Sequence, residues 1–254
     1  MKNDLITETH GDILIITINR PEARNAVTLS VATALAAALD ELDNRTDLNI
    51  GILTGAEGTF CAGMDLKGFL RGEIPRLPGR GFAGLTRKPP IKPLIAAVEG
   101  YALAGGFEMV LACDLVITGE GSQFGIPEVK RGLAATGGGL LRLPRQLPHR
   151  IAMELALTGD MLSAERALAL GLINQLVPKG QALEMSIQMA RRITANGPLA
   201  VAASKQVIEQ SRLWDDSSMW ERQETMTQAV LLSNDAKEGA KAFAEKRPPH
   251  WTRT

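Results

Sequence analysis

Three short apolar runs constrain the fold of this chain more than any other feature: Ile13 to Ile18 (ILIITI), Ile50 to Thr54 (IGILT) and Pro93 to Val98 (PLIAAV). Each is rich in β-branched residues, and turn-forming residues follow each one. Continuous apolar runs of this kind read as strands buried on both faces. The first begins almost at once, within Asp12 to Asn19. Between the first two lies Thr28 to Leu42 (TLSVATALAAALDEL), an Ala- and Leu-rich helical pattern with Thr28 at the N-cap position. Strands alternating with helices predict an α/β fold with mostly parallel pairing. After about Leu155 the patterns are helical. Ser163 to Gly171 has an N-cap serine and a terminal glycine, and Leu183 to Ala195, Pro198 to Leu213 and Ser217 to Leu232 follow as amphipathic helices. No internal repeat is visible.

Composition narrows the function classes. The 254 residues are 45% hydrophobic and 22% charged, which describes a soluble globular domain and excludes a disordered chain or a small disulfide scaffold. Lys plus Arg and Asp plus Glu are 28 each, so a strongly basic nucleic-acid binder is disfavoured, and 4% aromatics leave few stacking platforms. Cys61 and Cys113 sit in apolar runs without spaced partners. They make neither a disulfide framework nor a zinc site and suit a reducing cytosol. Met1 to Glu8 reads as neither a signal peptide nor an Arg-rich transit segment, and no stretch reaches the roughly 18 apolar residues of a membrane span. The expectation is a cytoplasmic protein without metal, nucleic-acid or membrane partners.

Arg71 to Lys92 breaks the rhythm with four prolines, four glycines, six basic residues and one acidic one. A long irregular segment inside a compact domain reads as a functional or disordered loop. It contains GRGFAG (Gly79 to Gly84), a formal G-x-G-x-x-G. No strand precedes that match and prolines surround it, so it reads as a surface loop and not a dinucleotide cradle.

Two glycine-bearing turns carry the chemistry. TFCAGMDL (Thr59 to Leu66) follows the second strand, and EGYALAGGFE (Glu99 to Glu108) follows the third. In each, small residues make a tight turn and a helical pattern begins. Amides at helix starts favour negative charge, and two such turns side by side aim two N–H groups at one oxygen. Taken singly, each turn is also an ordinary packing device. Glu108 stands in the first turn of an apolar helix, at the start of MVLACDLVIT. Glu128 follows Pro127 in QFGIPEVKRG. Their plain structural readings are a charge complementing the helix dipole and the opening of a surface turn. A carboxylate so near apolar sequence is costly to bury unless paired or neutralised. A third turn, Thr136 to Gly139 (TGGG), precedes the helical pattern LLRLPRQL.

TFCAGMDL, EGYALAGGFEMVLACDLVI and FGIPEVKRGLAATGGGLLRLP closely resemble the enoyl-CoA hydratase (crotonase) superfamily. NRPEARNAVT (Asn19 to Thr28), GDMLSAERALALGLINQLV (Gly159 to Val177) and AFAEKRPPHWT (Ala242 to Thr252) are similar to its other landmarks, so the resemblance covers essentially the whole chain. It implies a crotonase-like α/β fold, a spiral core of repeated ββα units. That core would span residues 1–195, with a C-terminal helical trimerisation region over 196–254 that packs on a neighbouring subunit.

The resemblance also implies a coenzyme A thioester whose carbonyl oxygen is held by the amides of Met64 and Gly105. Coenzyme A is then part of the substrate, and no separate cofactor is needed. Ala104 and Phe107 depart from the commonest glycine and small residue of the family, which bears on the shape of the acyl pocket. Glu108 and Glu128 match the two glutamates of hydratases, and together they imply addition or removal of water. Glu128 matches the donor of a proton to carbon and Glu108 the residue that deprotonates water, but the sequence leaves that division open. Arg24 to Ala26 and Ala62, Gly63, Met64, Asp65, Leu66 and Lys67 match the coenzyme A segments. Arg24 and Lys67 are candidate phosphate or adenine contacts; their plain reading is solvated charge. Asp65 reads as a brace of the turn and Asp114 as a structural residue at a helix end.

Relatives of this kind are homotrimers or homohexamers, which brings Phe243, Lys246 and Arg247 toward coenzyme A across an interface. His10, His149 and His250 lie outside every motif, and a G-x-S-x-G elbow is absent. The implied activity is that of an enoyl-CoA hydratase, a hydro-lyase. A carnitinyl-CoA dehydratase-like enzyme and a noncatalytic or RNA-binding relative are the alternatives.

Overall fold

The structure is a computed structural model, described over residues 3–254. The chain opens with an antiparallel hairpin, β1 (Leu5–His10) and β2 (Ile13–Ile18). Helix α1 (Leu29–Asn44) follows, its Thr28 Oγ1 accepting from Val31 N at 3.2 Å, as an N-cap should. Next come β3 (Ile50–Gly55), the short helix α2 (Leu66–Leu70) and a small hairpin of β4 (Arg76–Leu77) and β5 (Gly81–Phe82). The middle of the chain runs β6 (Leu94–Val98), β7 (Tyr101–Leu103), α3 (Gly105–Val110), β8 (Leu115–Gly119) and β9 (Gln123–Gly125). Helices α4 (Gly139–Gln146) and α5 (His149–Thr158), strand β10 (Leu162–Ser163), helix α6 (Ala164–Ala169) and strand β11 (Gln175–Val177) follow. Four helices end the chain: α7 (Ala182–Thr194), α8 (Pro198–Ser211), α9 (Met219–Leu231) and α10 (Asn234–Glu245).

A six-stranded sheet in the order β1-β2-β3-β6-β8-β11 is parallel except at the β1–β2 hairpin. A second sheet has the order β10-β9-β7. The strand pairs β6–β7 and β8–β9 each send one member to each sheet, and a helix follows each pair. That is the repeated ββα spiral. The three apolar runs are buried on both faces for a visible reason. Leu14, Ile16, Ile18, Leu53, Leu94, Ala96 and Val98 pack on the α1 side. Ile13, Ile15, Ile50, Ile52, Ile95 and Ala97 pack on the side of Ala182, Ile187 and Ala190 from α7. Alternate residues thus serve opposite layers, and the polar Thr54 at the end of the second run is accommodated by donating to the Ala97 carbonyl at 2.9 Å.

The structure corrects the sequence reading in three places. The run MVLACDLVIT is not one helix: α3 stops at Val110, and its second half is β8. Asp114 between them accepts from Leu94 N and Lys205 Nζ, both at 2.7 Å, so it fastens a turn between helix and strand. Leu5–His10 is a strand that carried no sustained apolar signal, because it is a largely exposed edge on which only Leu5 and Ile6 are apolar. The GRGFAG segment is not a surface loop: Gly81 to Thr86 are all buried. Arg80 grips Asp40 with both carboxylate oxygens at 2.7 and 2.8 Å and binds the Gly84 carbonyl at 2.9 Å.

Helices α8 and α9 bury no residue. The region over 196–254 touches the core through the Lys205–Asp114 ion pair and through Trp251 Nε1, which donates to the Ala195 carbonyl at 2.9 Å. Among the described residues, no helix is long and apolar enough to cross a membrane.

Candidate active site

The site is assembled where the chain leaves β3 and β6. Phe60 to Cys61 runs beside Tyr101 to Leu103. Phe60 N donates to Glu99 O at 2.8 Å, Cys61 N to Tyr101 O at 2.9 Å, and Leu103 N to Cys61 O at 3.0 Å. The second glycine turn is therefore not a bare turn, since β7 lies inside it. Gly63 takes φ 98°, and a Cβ there would lie 2.9 Å from Ala104 Cβ and 3.2 Å from Gly105 N. Only glycine lets the two turns approach this closely. Ala104, at φ 51° and ψ −126°, holds a backbone shape that L residues resist, directly before α3.

The two predicted donors come together in this arrangement. Gly105 is the first residue of α3, so its N–H is one of the amides that no intrahelical carbonyl reaches. Met64 N makes no backbone hydrogen bond among the described residues, although its neighbours do. Val27 N donates to Gly63 O at 2.8 Å and Asp65 N to Val27 O at 2.9 Å. With Ala62 N donating to Arg24 O at 3.0 Å, these bonds lay Arg24 to Val27 alongside Ala62 to Asp65. The predicted coenzyme A segments are thus one surface, with Arg24, Leu66 and Lys67 exposed and Ala26 buried.

Asn25 anchors that surface from beneath. It is fully buried, accepts from Arg20 N at 2.8 Å and donates to Ala56 O and Thr59 O at 2.9 and 2.6 Å. Asp65 caps α2 by accepting from Lys67 N and Gly68 N, and pairs with Arg20 at 3.0 Å. Burial opposes its charge, but those amides and the guanidinium win and hold its carboxyl below the usual value.

Glu108 lies in the first turn of α3 with 3% of its surface exposed. Its Oε1 accepts from Gly139 N at 2.8 Å, at the start of α4. A Cβ on Gly137 would strike its other oxygen, so the TGGG turn wraps the carboxyl closely. Burial raises its pKa, while the Gly139 and Gly137 amides and the Arg76 and Arg142 guanidiniums oppose the rise.

Glu128 is different. It sits half-buried in a single-turn helix, Pro127–Arg131, and its Oε2 is buried with no hydrogen-bond partner among the described residues. Burial, aided by the charge of Glu108, pushes its carboxyl up to about 7. The charge of Glu108 thus acts on Glu128, and one carboxyl is cradled while the other has an oxygen without a partner.

Other predicted residues lie apart. Phe243 is 88% exposed near the end of α10, and Lys246 caps that helix in a left-handed conformation. No hydrogen bond among the described residues joins either to the segments above. Arg247 is committed to Glu238 at 2.6 and 2.9 Å and to Glu245 at 2.7 Å. Three residues at the site had escaped the sequence reading. Phe82 lies with its ring against Gly105. Arg76 binds Thr136 Oγ1 and Arg142 binds the Thr86 carbonyl, at 2.8 and 2.7 Å. Nothing in the linear pattern separates these arginines from solvated ones.

Known proteins share this fold. A family model described as Enoyl-CoA hydratase/isomerase matches residues 8–254. Enoyl-CoA hydratase EchA19 of Mycobacterium tuberculosis is 42% identical over 98% of this chain and 96% of its own length. A carnitinyl-CoA dehydratase of Salmonella arizonae is 41% identical over 99% of both chains. A crystal structure of an enoyl-CoA hydratase from Mycobacterium tuberculosis H37Rv superposes with a TM-score of 0.98 and 58% identity over the full length of both. With the family model matching residues 8–254 and these full-length likenesses, the chain belongs to the enoyl-CoA hydratase/isomerase family.

Proposed function

We propose that this protein is an enoyl-CoA hydratase, a hydro-lyase that reversibly adds water across the double bond of a 2-enoyl-CoA thioester. The observation that carries the reading is the contrast between two carboxyl groups at one site. Glu108 is held by amides and faced by two guanidiniums, all of which favour its ionised form. Glu128 has no partner on Oε2 and titrates near about 7, so it keeps a proton. Glu108 takes a proton from water, the hydroxyl adds to the β-carbon, and Glu128 gives its proton to the α-carbon. The electron pair of the double bond passes through an enolate whose oxygen is held by the amides of Met64 and Gly105. Proton exchange between the two carboxyls and solvent restores the starting state, and one water has been added.

Arg24, Ala26, Ala62, Gly63, Met64, Asp65, Leu66 and Lys67 form the surface for coenzyme A. Arg24 and Lys67 supply exposed charge for its phosphates. The similarity to EchA19 and to the Mycobacterium tuberculosis structure supports hydration. The carnitinyl-CoA dehydratase similarity supports a second reading, the same chemistry on another acyl group. A panel of enoyl-CoA thioesters including crotonobetainyl-CoA, followed by loss of the conjugated double bond, separates the two. Turnover of none of them sinks both.

The protein acts as a homotrimer or homohexamer in this reading. Ile208, Leu213, Trp220, Leu231, Leu232 and Phe243, all in the C-terminal helical region, stay exposed in the single chain, which suits their burial against a neighbour. Assembly brings Phe243 and Lys246 to a neighbour's coenzyme A. Sedimentation equilibrium checks it, and a monomer at micromolar concentration removes those two residues from the site.

A further inference from the structure

The segment from β4 to Thr86 reads in the sequence as a mobile loop, yet two arginines fasten it to the turn that holds Glu108, in opposite directions. From the segment, Arg76 Nη2 donates to Thr136 Oγ1 at 2.8 Å, one residue before Gly137. From α4, Arg142 Nη2 donates to the Thr86 carbonyl at 2.7 Å. Thr86 folds back on Phe82: Phe82 N donates to Thr86 Oγ1 at 3.0 Å, and Thr86 N to Phe82 O at 3.2 Å. The Phe82 ring lies against Gly105, and its Cβ is 3.1 Å from where a Cβ on Gly137 would stand. The Arg142 guanidinium also lies against Gly138, with Nη1 2.5 Å from the position a Cβ would take there. One unbroken chain of contacts therefore runs from Glu108 through Gly139, Gly138, Arg142, Thr86 and Phe82 to Gly105.

We propose that Arg142, assisted by Arg76, is a positioning residue that holds the Glu108 carboxyl and the Gly105 amide at a fixed mutual distance. The proposal rests on the reading of Glu108 as base and Gly105 as oxyanion donor. A catalytic carboxylate displaced by about an ångström loses a large part of its rate, so a tie that joins both groups acts on kcat. Arginine suits the task because one terminal nitrogen of its planar fork reaches the Thr86 carbonyl while the other abuts Gly138; lysine offers a point charge only. The charged groups around the pair are few. Arg76 from β4 and Arg142 from α4 face Glu108, and the charge of Glu108 acts on Glu128. Glu209 of α8, Arg145 and Cys113 act on Arg142. Both arginines favour ionised Glu108, so losing either raises its pKa and moves the acidic limb of the rate profile to higher pH.

The test measures hydration of a four-carbon 2-enoyl-CoA by the full-length protein across pH, for Arg142→Gln, Arg142→Lys, Arg76→Gln and, in parallel, Glu108→Gln. Arg142→Gln is expected to lower kcat about tenfold to a hundredfold with KM nearly unchanged, and to shift the acidic limb upward. Arg142→Lys keeps the limb near its place but still loses kcat, because the charge returns without the fork. Arg76→Gln gives the same changes in smaller size. Wild-type kcat and limb in Arg142→Gln overturn the proposal. Should Arg142→Gln fail to fold, Arg142→Lys and Arg76→Gln decide together. A kcat loss of about threefold or more in both supports the tie, and wild-type kcat in either overturns it. If Glu108→Gln retains turnover, the assignment of the base falls instead, and the two failures stay distinct.

Discussion

The two carboxyl sites differ in what the backbone does for them. Around Glu108 the chain supplies a helix start, the TGGG turn and two guanidiniums, and the side chain is almost wholly enclosed. Around Glu128 it supplies a proline-opened single turn, and one buried oxygen is left without a partner. The same residue type thereby meets two environments: burial raises both carboxyls, amides and guanidiniums oppose the rise at Glu108, and Glu128 is pushed up to about 7. Burial alone does not set a carboxyl's role; the donors that accompany it do.

The sharpest way to break this comparison is to neutralise each carboxyl in turn. Glu108→Gln and Glu128→Gln are each expected to lower kcat by about 10²–10⁴-fold in steady-state hydration. Their pH signatures should differ. Wild-type kcat/KM is expected to fall on the acid side as Glu108 takes up its proton, and on the alkaline side through about 7 as Glu128 loses its own. The residual activity of Glu128→Gln should lack the alkaline limb. Retention of that limb assigns it to another group, and near-full turnover of either variant ends the two-carboxyl mechanism.

A slightly smaller loss tests what the two sites share. Gly105→Pro removes the amide at the start of α3, and the barrier should rise by about 2.7–4 kcal/mol. Circular dichroism and a melting curve establish that the variant folds. A folded, fully active Pro variant removes Gly105 from the oxyanion site.

Stability against pH separates the glutamates without reference to activity. The folded-state pKa of Glu128 is raised, so the native state holds a proton that the unfolded chain has already lost between about 4.5 and about 7. Its contribution to stability is present below that window and fades as pH rises through it. Glu128→Gln should therefore raise Tm more at pH 8 than at pH 5, measured by calorimetry. An equal change at both pH values means that burial of Glu128 is relieved by another route.

The smallest effect concerns the backbone on the Glu108 side. Ala104 at φ 51° and ψ −126° stores about 1–3 kcal/mol, and glycine returns about 0.5–1 kcal/mol of unfolded-state entropy against that relief. Ala104→Gly should raise Tm by a few degrees, as about 1 kcal/mol does in a domain of this size. A lower Tm would show that the alanine methyl on Gly63 contributes more than the strain costs.

Much was legible from local pattern. The buried strands, the Thr28 and Ser163 caps and the C-terminal helices follow from periodicity and capping chemistry, which act over a few residues. The close approach of the glycine turns was legible too, because only small residues permit the contact seen at Gly63, whereas the pairing of the two glutamates came from the family resemblance. The hinge inside MVLACDLVIT was not legible. A continuous apolar run suits a helix or a buried strand equally, and the break is imposed by Leu94 and Lys205 converging on Asp114. Nor was the part played by Arg76 and Arg142. A basic residue looks the same in the sequence whether it meets water or, as Arg76 and Arg142 do, a hydroxyl 60 or a carbonyl 56 positions away. The sequence by itself determined which groups the site contains, since residue type decides what can give or take a proton. The tertiary structure alone decided which carboxyl is cradled and which is bare, because hydrogen-bond donors and burial are set by segments distant along the chain.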